Sequence, residues 1–194
     1  LIAVARGHVE AVQALLSLGV DLSRPAFEGC SFAYVAAGEG QLAMLQLLAE
    51  LGADLNAPDK DGATPVYIAA QEGHAEVIKA LVRLGADIHT CKDNKSTAVC
   101  IAAQEGHCAA IIALAEMGAD VDTPNANHAS PVFYAAQEGH AEAVRVLASC
   151  GADVNTPKDL GLTPVYVAAQ WGHTTTIIAL AALGADLCAA AGTG

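Results

Sequence analysis

The sequence predicts an all-α solenoid of stacked helix-turn-helix units, and three observations lead to that fold class. One set of glycines recurs at an interval of 33 residues: Gly7, Gly40, Gly73, Gly106, Gly139 and Gly172. A second set keeps the same interval: Gly19, Gly52, Gly85, Gly118, Gly151 and Gly184. Alanine is abundant while aromatic residues make up only 4% of the chain, which favours close helix packing over a sheet core. A constant period of this size is typical of one supersecondary unit repeated along a stack.

The first helix of the unit is predicted at about residues 65–72. Thr64 stands directly before Pro65. A threonine hydroxyl caps the free amides of a helix start, and proline fits the first helical turn. Gly73 should end this helix, because glycine tolerates the left-handed conformation found at helix termini.

The second helix is predicted at about residues 75–84 and should end at Gly85. Its apolar residues form one stripe at helical spacing: Val77, Ile78, Leu81 and Val82. A helix of about ten residues is too short to be stable alone in water. Neighbouring units must therefore hold each helix pair in place.

A turn rich in Asp, Asn, Pro and Gly is predicted between units, as residues 56–62 show. Later copies replace the last glycine of this turn with Lys95 and His128. If the position needs a positive φ, those two turns are strained or rearranged, with Asn94 and Asn127 as candidates for the left-handed residue instead. We therefore expect these two turns to be the least regular.

The motifs at the first helix resemble the ankyrin repeat. They read TPVYIAAQEGH at residues 64–74, SPVFYAAQEGH at 130–140 and TPVYVAAQWGH at 163–173, and Gly-Ala-Asp follows the second helix of each of these three repeats. The ankyrin repeat has a period of 33 residues and a TPLHxA signature. This resemblance covers nearly the whole chain and implies one ankyrin-repeat domain, 1–194, whose helix pairs are joined by β-turn tips.

In this register a partial repeat (1–22) precedes five full repeats (23–55, 56–88, 89–121, 122–154 and 155–187) and a short tail (188–194), which suggests a segment of a longer array. The signature histidine is replaced by other residues: Tyr34, Tyr67, Cys100, Phe133 and Tyr166. An aromatic ring there fills space but gives up the hydrogen bonding of imidazole. The signature proline is missing at Phe32 and Ala98.

Composition narrows the class of partner. Nine basic against twenty-one acidic residues give a net charge of −12, which argues against nucleic acid and anionic membranes and favours a basic protein partner. No apolar stretch approaches the ~20 residues of a membrane helix. The cysteines show neither a zinc nor a disulfide pattern, so we predict reduced thiols in a cytoplasmic protein, with the nucleus as the alternative.

Catalysis, metal binding and a cofactor are not expected. Histidines recur in register: His8, His74, His107, His140 and His173. One imidazole per repeat is separated from the next by a helix spacing of roughly 8–10 Å, whereas metal ligands lie ~2.0–2.1 Å from one ion. We expect each histidine to start its second helix and bond locally. The recurring aspartates should each tie their own turn: Asp21, Asp54, Asp87, Asp120, Asp153 and Asp186.

The remaining candidate is a protein-binding surface. In the ankyrin architecture that the chain resembles, targets dock on the concave face, made of turn tips and the exposed ends of the first helices. Carried over by register, that face comprises Phe27, Glu39, Lys60, Asp61, Gln71, Glu72, Asp93, Gln104, Glu105, Gln137, Glu138, Gln170 and Trp171. Two interpretations of its glutamate row stay open, a strip that steers a basic peptide or merely solvated helix formers.

Trp171 interrupts the glutamate row and has two interpretations, a binding hot spot or a packing residue.

The function that follows from the resemblance and from this surface is a scaffold or adaptor, with an inhibitory or regulatory subunit as the alternative. Apolar faces at both ends of the array also predict end-to-end self-association. Asn56 and Asn155 resemble sites of asparagine hydroxylation in ankyrin repeats.

Overall fold

A computed structural model describes residues 1–21 and 29–188. Twelve α-helices lie in these residues, in pairs of one short and one longer helix. The first members are α1 (Ile2–Ala5), α3 (Phe32–Gly38), α5 (Pro65–Gln71), α7 (Ala98–Gln104), α9 (Pro131–Gln137) and α11 (Pro164–Gln170). The second members are α2 (Val9–Ser17), α4 (Leu42–Glu50), α6 (Ala75–Arg83), α8 (Cys108–Glu116), α10 (Ala141–Ser149) and α12 (Thr174–Ala182).

The helix pairs stack in two layers. Each first helix packs against the first helix of the next pair, from α3 through α5, α7 and α9 to α11. The second helices form the other layer, in which α8 packs against both α6 and α10. The predicted all-α solenoid is confirmed, and the helix boundaries predicted for the second full repeat differ from α5 and α6 by one residue at the C-terminal ends.

A hydroxyl cap starts each first helix after α1. The Thr64 Oγ1 accepts a hydrogen bond from the Tyr67 amide at 3.3 Å, as predicted from its place before Pro65. The helices that lack the proline are capped in the same way, because Ser31 Oγ accepts from the Tyr34 amide at 3.0 Å and Thr97 Oγ1 from the Cys100 amide at 3.2 Å. The cap alone therefore suffices to set the start of α3 and α7.

Lys95 and His128 keep the left-handed conformation of the glycine they replace, with φ of 59° and 55°. The alternative placement of this conformation at Asn94 and Asn127 is wrong. Both turns also keep the backbone hydrogen bonds of the glycine-containing turn at residues 59–63. The expectation that these two turns are the least regular is therefore wrong as well.

The irregular turn lies at residues 158–162. There Leu160 takes a φ of 63° directly before Gly161, within a short 3₁₀ turn. In the three preceding turns a side-chain oxygen accepts from backbone amides: Asp59 from Asp61 and Ala63, Asn94 from Ser96, and Asn125 from Asn127 and Ala129. Lys158 and Leu160 stand at the corresponding positions and offer no acceptor. This turn keeps the two backbone hydrogen bonds of the other turns, but Leu160 adds a second left-handed residue beside Gly161.

The core runs along the interface between the two layers. The second helices contribute one fully buried leucine in register, at Leu81, Leu114, Leu147 and Leu180. The first helices contribute pairs of buried alanines, such as Ala69 with Ala70 and Ala102 with Ala103. Because alanine has no side chain beyond Cβ, adjacent first helices approach closely, as the composition predicts.

Replacing Thr176 by valine is expected to stabilise the protein. Thr176 is fully buried, and in the described structure its Oγ1 has no hydrogen-bond partner. Val77 occupies the same register in α6, so a valine fits the position. Removing an unsatisfied buried hydroxyl should raise the free energy of unfolding by about 1 kcal/mol, measured by urea denaturation. A loss of stability would show that the hydroxyl is bonded.

Candidate protein-binding surface

The recurring histidines tie neighbouring repeats together. The Nε2–H groups of His74, His140 and His173 donate to the carbonyl oxygens of Gly38, Gln104 and Gln137 at 3.0, 3.0 and 2.9 Å. Each acceptor lies at or next to the end of the preceding first helix, so the expectation of a purely local bond is wrong. These imidazoles are structural links, and no cluster of three metal-ligating side chains occurs among the residues that the structure describes.

The recurring aspartates tie their own turns, as predicted. Asp87 accepts from the His89 amide at 2.9 Å and from the Thr90 hydroxyl at 2.8 Å. These two hydrogen bonds lower the pKa of Asp87 below its ordinary value. Asp120 makes the same pair of bonds, and its pKa is lowered for the same reason.

A second polar link joins consecutive turns on the opposite side of the helix pair. Asn56 Oδ1 accepts from the Asp87 amide at 2.7 Å, and Asn155 Oδ1 from the Asp186 amide at 2.8 Å. Asp122 makes the same link to the Asp153 amide, and partial burial raises its pKa. Both asparagines thus have a structural role, and their hydroxylation stays a prediction.

The residues that replace the signature histidine contact the next turn. Burial and the hydrogen-bonded Asp59 carboxylate raise the pKa of Tyr34. The ammonium of Lys92 lies 5.8 Å from the centre of the Tyr67 ring, and that of Lys158 lies 5.4 Å from the centre of the Phe133 ring. The expectation that an aromatic residue gives up the hydrogen bonding of imidazole is wrong at Tyr34, which forms a hydrogen bond with Asp59. At Phe133 that hydrogen bonding is given up, and the ring faces the ammonium of Lys158 instead.

The predicted surface residues mostly lie at the protein surface. Glu39, Glu72, Glu105 and Glu138 are exposed at the ends of successive first helices. Lys60, Asp61 and Asp93 are exposed in the turns, Gln170 is exposed, and Gln71, Gln104 and Gln137 are half-buried. Phe27 lies outside the described residues. We call the exposed ends of α3, α5, α7, α9 and α11 the first-helix face.

The glutamates of the first-helix face have no cationic partner within the described residues. Two of them accept hydrogen bonds from side-chain amides, since Gln71 Nε2 donates to Glu72 at 3.2 Å and Gln137 Nε2 to Glu138 at 2.9 Å. In contrast, the second-helix layer carries ion pairs, among them Lys79 with Glu116 at 2.9 Å. The carboxylates of the first-helix face are therefore available to an external cation.

Trp171 is 62% exposed and follows α11 at the place where four other repeats carry glutamate. Its exposure means that Trp171 is not packed against the described part of the chain, and its role as a binding hot spot stays a prediction. At the same end of the array Tyr166 is 39% exposed, whereas Phe133 in the same register is 2% exposed. End-to-end association through this surface stays a prediction.

Register reasoning missed a pocket of about 400 Å³ on the first-helix face, lined by Tyr34, Val35, Gly38, Glu39, Ile68 and Glu72. Its sequence signal is Gly38, which stands where the next four repeats have glutamine. Because Gly38 has no side chain, the groove between α3 and α5 is open at this point.

Cys91, Cys100, Cys108, Cys150 and Cys188 carry free thiols. Burial raises the pKa of the Cys100 thiol, which disfavours the reactive thiolate. No helix in the described ranges is both long and apolar enough to cross a membrane.

Comparison with known families agrees with the geometry. A sequence model described as "Ankyrin repeats (3 copies)" matches residues 1–92, 31–125, 83–158 and 99–191, which overlap along nearly the whole chain. No curated protein matches the chain. The stacked helix pairs, the turns between them and these matches together show that the chain belongs to the ankyrin-repeat family.

Proposed function

We propose that this chain is a scaffold or adaptor that binds a basic segment of a partner protein along its first-helix face, without catalysis of its own. Ankyrin repeats are generally protein–protein interaction modules. The observation that carries the proposal is the row of four exposed glutamates at the ends of α3, α5, α7 and α9, together with the absence of a cationic partner for them in the described structure.

The charge of the whole chain supports a basic partner. A net charge of −12 attracts cationic segments over a distance of about one Debye length, and the glutamate row places carboxylates at a spacing of about one repeat. A segment with basic residues at matching intervals would meet one carboxylate at each repeat. Each such exposed pair contributes only about 0.2–1 kcal/mol, so specificity depends on several pairs and on an anchoring side chain.

Neutralising the glutamate row should weaken binding of a basic peptide about tenfold or more. The variant replaces Glu39, Glu72, Glu105 and Glu138 by glutamine, and the probe is a fluorescent peptide that alternates arginine and lysine with glycine and serine. The factor follows from four lost pairs of a few tenths of a kcal/mol each. Fluorescence anisotropy at ~0.15 M salt measures the dissociation constant.

A control variant with the same net charge tests whether the loss of affinity comes from the first-helix face or from the reduced charge of the whole chain. It replaces four exposed glutamates of the second-helix layer by glutamine: Glu10, Glu50, Glu76 and Glu142. Equal loss of affinity in both variants would contradict a role for the first-helix face. Once a partner enzyme is identified, unchanged turnover on adding this chain would support a scaffold, and inhibition would support a regulatory subunit.

A further inference from the structure

We propose that the pocket between α3 and α5 is a socket for one arginine side chain of the partner. This inference rests on the proposed function, because it places the anchoring residue of the basic segment on the first-helix face. Three features carry it, namely the gap left by Gly38, the apolar floor of the pocket and the two carboxylates at its rim.

The gap is specific to one repeat junction. Gly38 ends α3, and at the same register the next four repeats have glutamine, at Gln71, Gln104, Gln137 and Gln170. A Cβ atom added to Gly38 would lie 3.1 Å from Cγ1 of Ile68, so any side chain at position 38 requires Ile68 to shift by a few tenths of an ångström. A glutamine side chain at position 38 would occupy the space that is now the pocket of about 400 Å³.

The lining of the pocket fits a side chain that is apolar along its length and charged at its end. Val35, Ile68 and the Tyr34 ring provide the apolar surface. Glu39 and Glu72 stand at the same register of successive repeats and are exposed, so their carboxylates flank the opening. An arginine can lay its methylene stem on the apolar floor while its guanidinium reaches the carboxylates.

Arginine fits this arrangement better than lysine does. The planar guanidinium bonds carboxylates through two parallel N–H groups and stacks on aromatic rings, whereas the ammonium of lysine is a compact, strongly hydrated charge. The Tyr34 hydroxyl is hydrogen-bonded to Asp59, which adds a negative charge nearby. Gly38 offers no amide to Glu39, unlike Gln71, which donates to Glu72 at 3.2 Å.

The experiment titrates the whole ¹⁵N-labelled chain with N-acetyl-arginine amide and follows backbone amide shifts by NMR. N-acetyl-lysine amide is the comparison ligand at the same ionic strength. We expect saturable shifts at Val35, Glu39, Ile68 and Glu72, with an apparent dissociation constant at least threefold lower for arginine than for lysine. Equally large amide shifts at Glu105 and Glu138 would contradict the proposal that arginine binds in this pocket.

Two variants separate the shape of the pocket from its charge. Gly38→Gln restores the residue of the other repeats and should fold, because Gln71 and Ile101 coexist at the equivalent junction. It should raise the apparent dissociation constant for the arginine amide at least fivefold. The pair Glu39→Gln and Glu72→Gln leaves the gap open and should weaken binding similarly, whereas Glu105→Gln with Glu138→Gln should leave it unchanged.

The outcomes distinguish this inference from the proposed function. If Gly38→Gln binds the arginine amide as tightly as the unmodified chain does, the proposed arginine pocket is wrong. That conclusion holds even if the glutamate row still binds the basic peptide. If the arginine amide binds in the pocket but the basic peptide ignores the glutamate row, the socket stands and the proposed function is wrong. Should Gly38→Gln fail to fold, the two charge variants decide the outcome.

Discussion

Replacing Gly139 by alanine should destabilise the protein far more than replacing Gly172, although both glycines occupy the same place in their repeats. Both have positive φ, 81° and 75°, so alanine meets the same backbone strain at either site. The two differ in their surroundings. A Cβ atom on Gly139 would lie 2.6 Å from Nδ1 of His173, whereas no described atom lies within 4 Å of a Cβ on Gly172.

The expected sizes follow from these two effects. An alanine in the left-handed conformation costs about 1–2 kcal/mol, which both variants share. Gly139→Ala must also displace the His173 ring from the carbonyl of Gln137, 2.9 Å away, at a further cost of about 1–3 kcal/mol for overpacking and the lost hydrogen bond. Urea denaturation of both variants, followed by circular dichroism, measures the difference in free energy of unfolding.

A second substitution checks the cause of the large effect. Removing the ring with His173→Ala in the Gly139→Ala background should leave less of a loss than the two single losses added together, because one clash is removed. Equal losses for Gly139→Ala and Gly172→Ala would show that the imidazole does not lie against the glycine.

The glycine positions illustrate how much of the fold the sequence predicts. Their spacing predicts the helix ends and the stack, because a helix terminus is a local event that a glycine or a threonine cap signals within a few residues. The ring of His173 above Gly139 could not be predicted in this way. That contact joins residues of successive repeats, and its geometry depends on how the repeats stack.

The turns between repeats also show a structural feature that local sequence does not predict. The change from glycine to Lys95 or His128 suggested irregular turns, yet the side-chain acceptors of Asn94 and Asn125 hold both of them in the regular form. The irregular turn arises at Leu160, next to a glycine that is present. A single replaced residue is thus a poor guide where the hydrogen bonds of several side chains decide the backbone path.

The exposure of the glutamate row can be predicted from the sequence, whereas the pocket beside it cannot. Register correctly places the glutamate row at the surface, because every repeat presents the same helix end. The pocket at Gly38 depends on a missing side chain in one repeat and on Ile68 in the next. Such a feature becomes visible only when the two helices are placed side by side.

Replacing Leu114 by alanine should disrupt the middle of the solenoid, whereas Leu180→Ala should affect only its last helix pair. Both leucines are fully buried at the same register of their second helices. Each substitution leaves a cavity that costs about 2–5 kcal/mol. The consequences differ because α8 packs against second helices on both sides, α6 and α10, and against its own partner α7, whereas in the described residues α12 packs against α10 and its own partner α11.

In a repeat array, stability is approximately a sum of repeat terms and interfaces between neighbours. Weakening α8 affects both of its interfaces, so Leu114→Ala should lower amide hydrogen-exchange protection in α5 to α10 and divide unfolding into two steps. Leu180→Ala should lower protection in α11 and α12 and leave α5 to α8 unchanged. If both variants lowered protection uniformly along the chain, the solenoid would be unfolding as one cooperative unit, and interface strength would exceed the cost of either cavity.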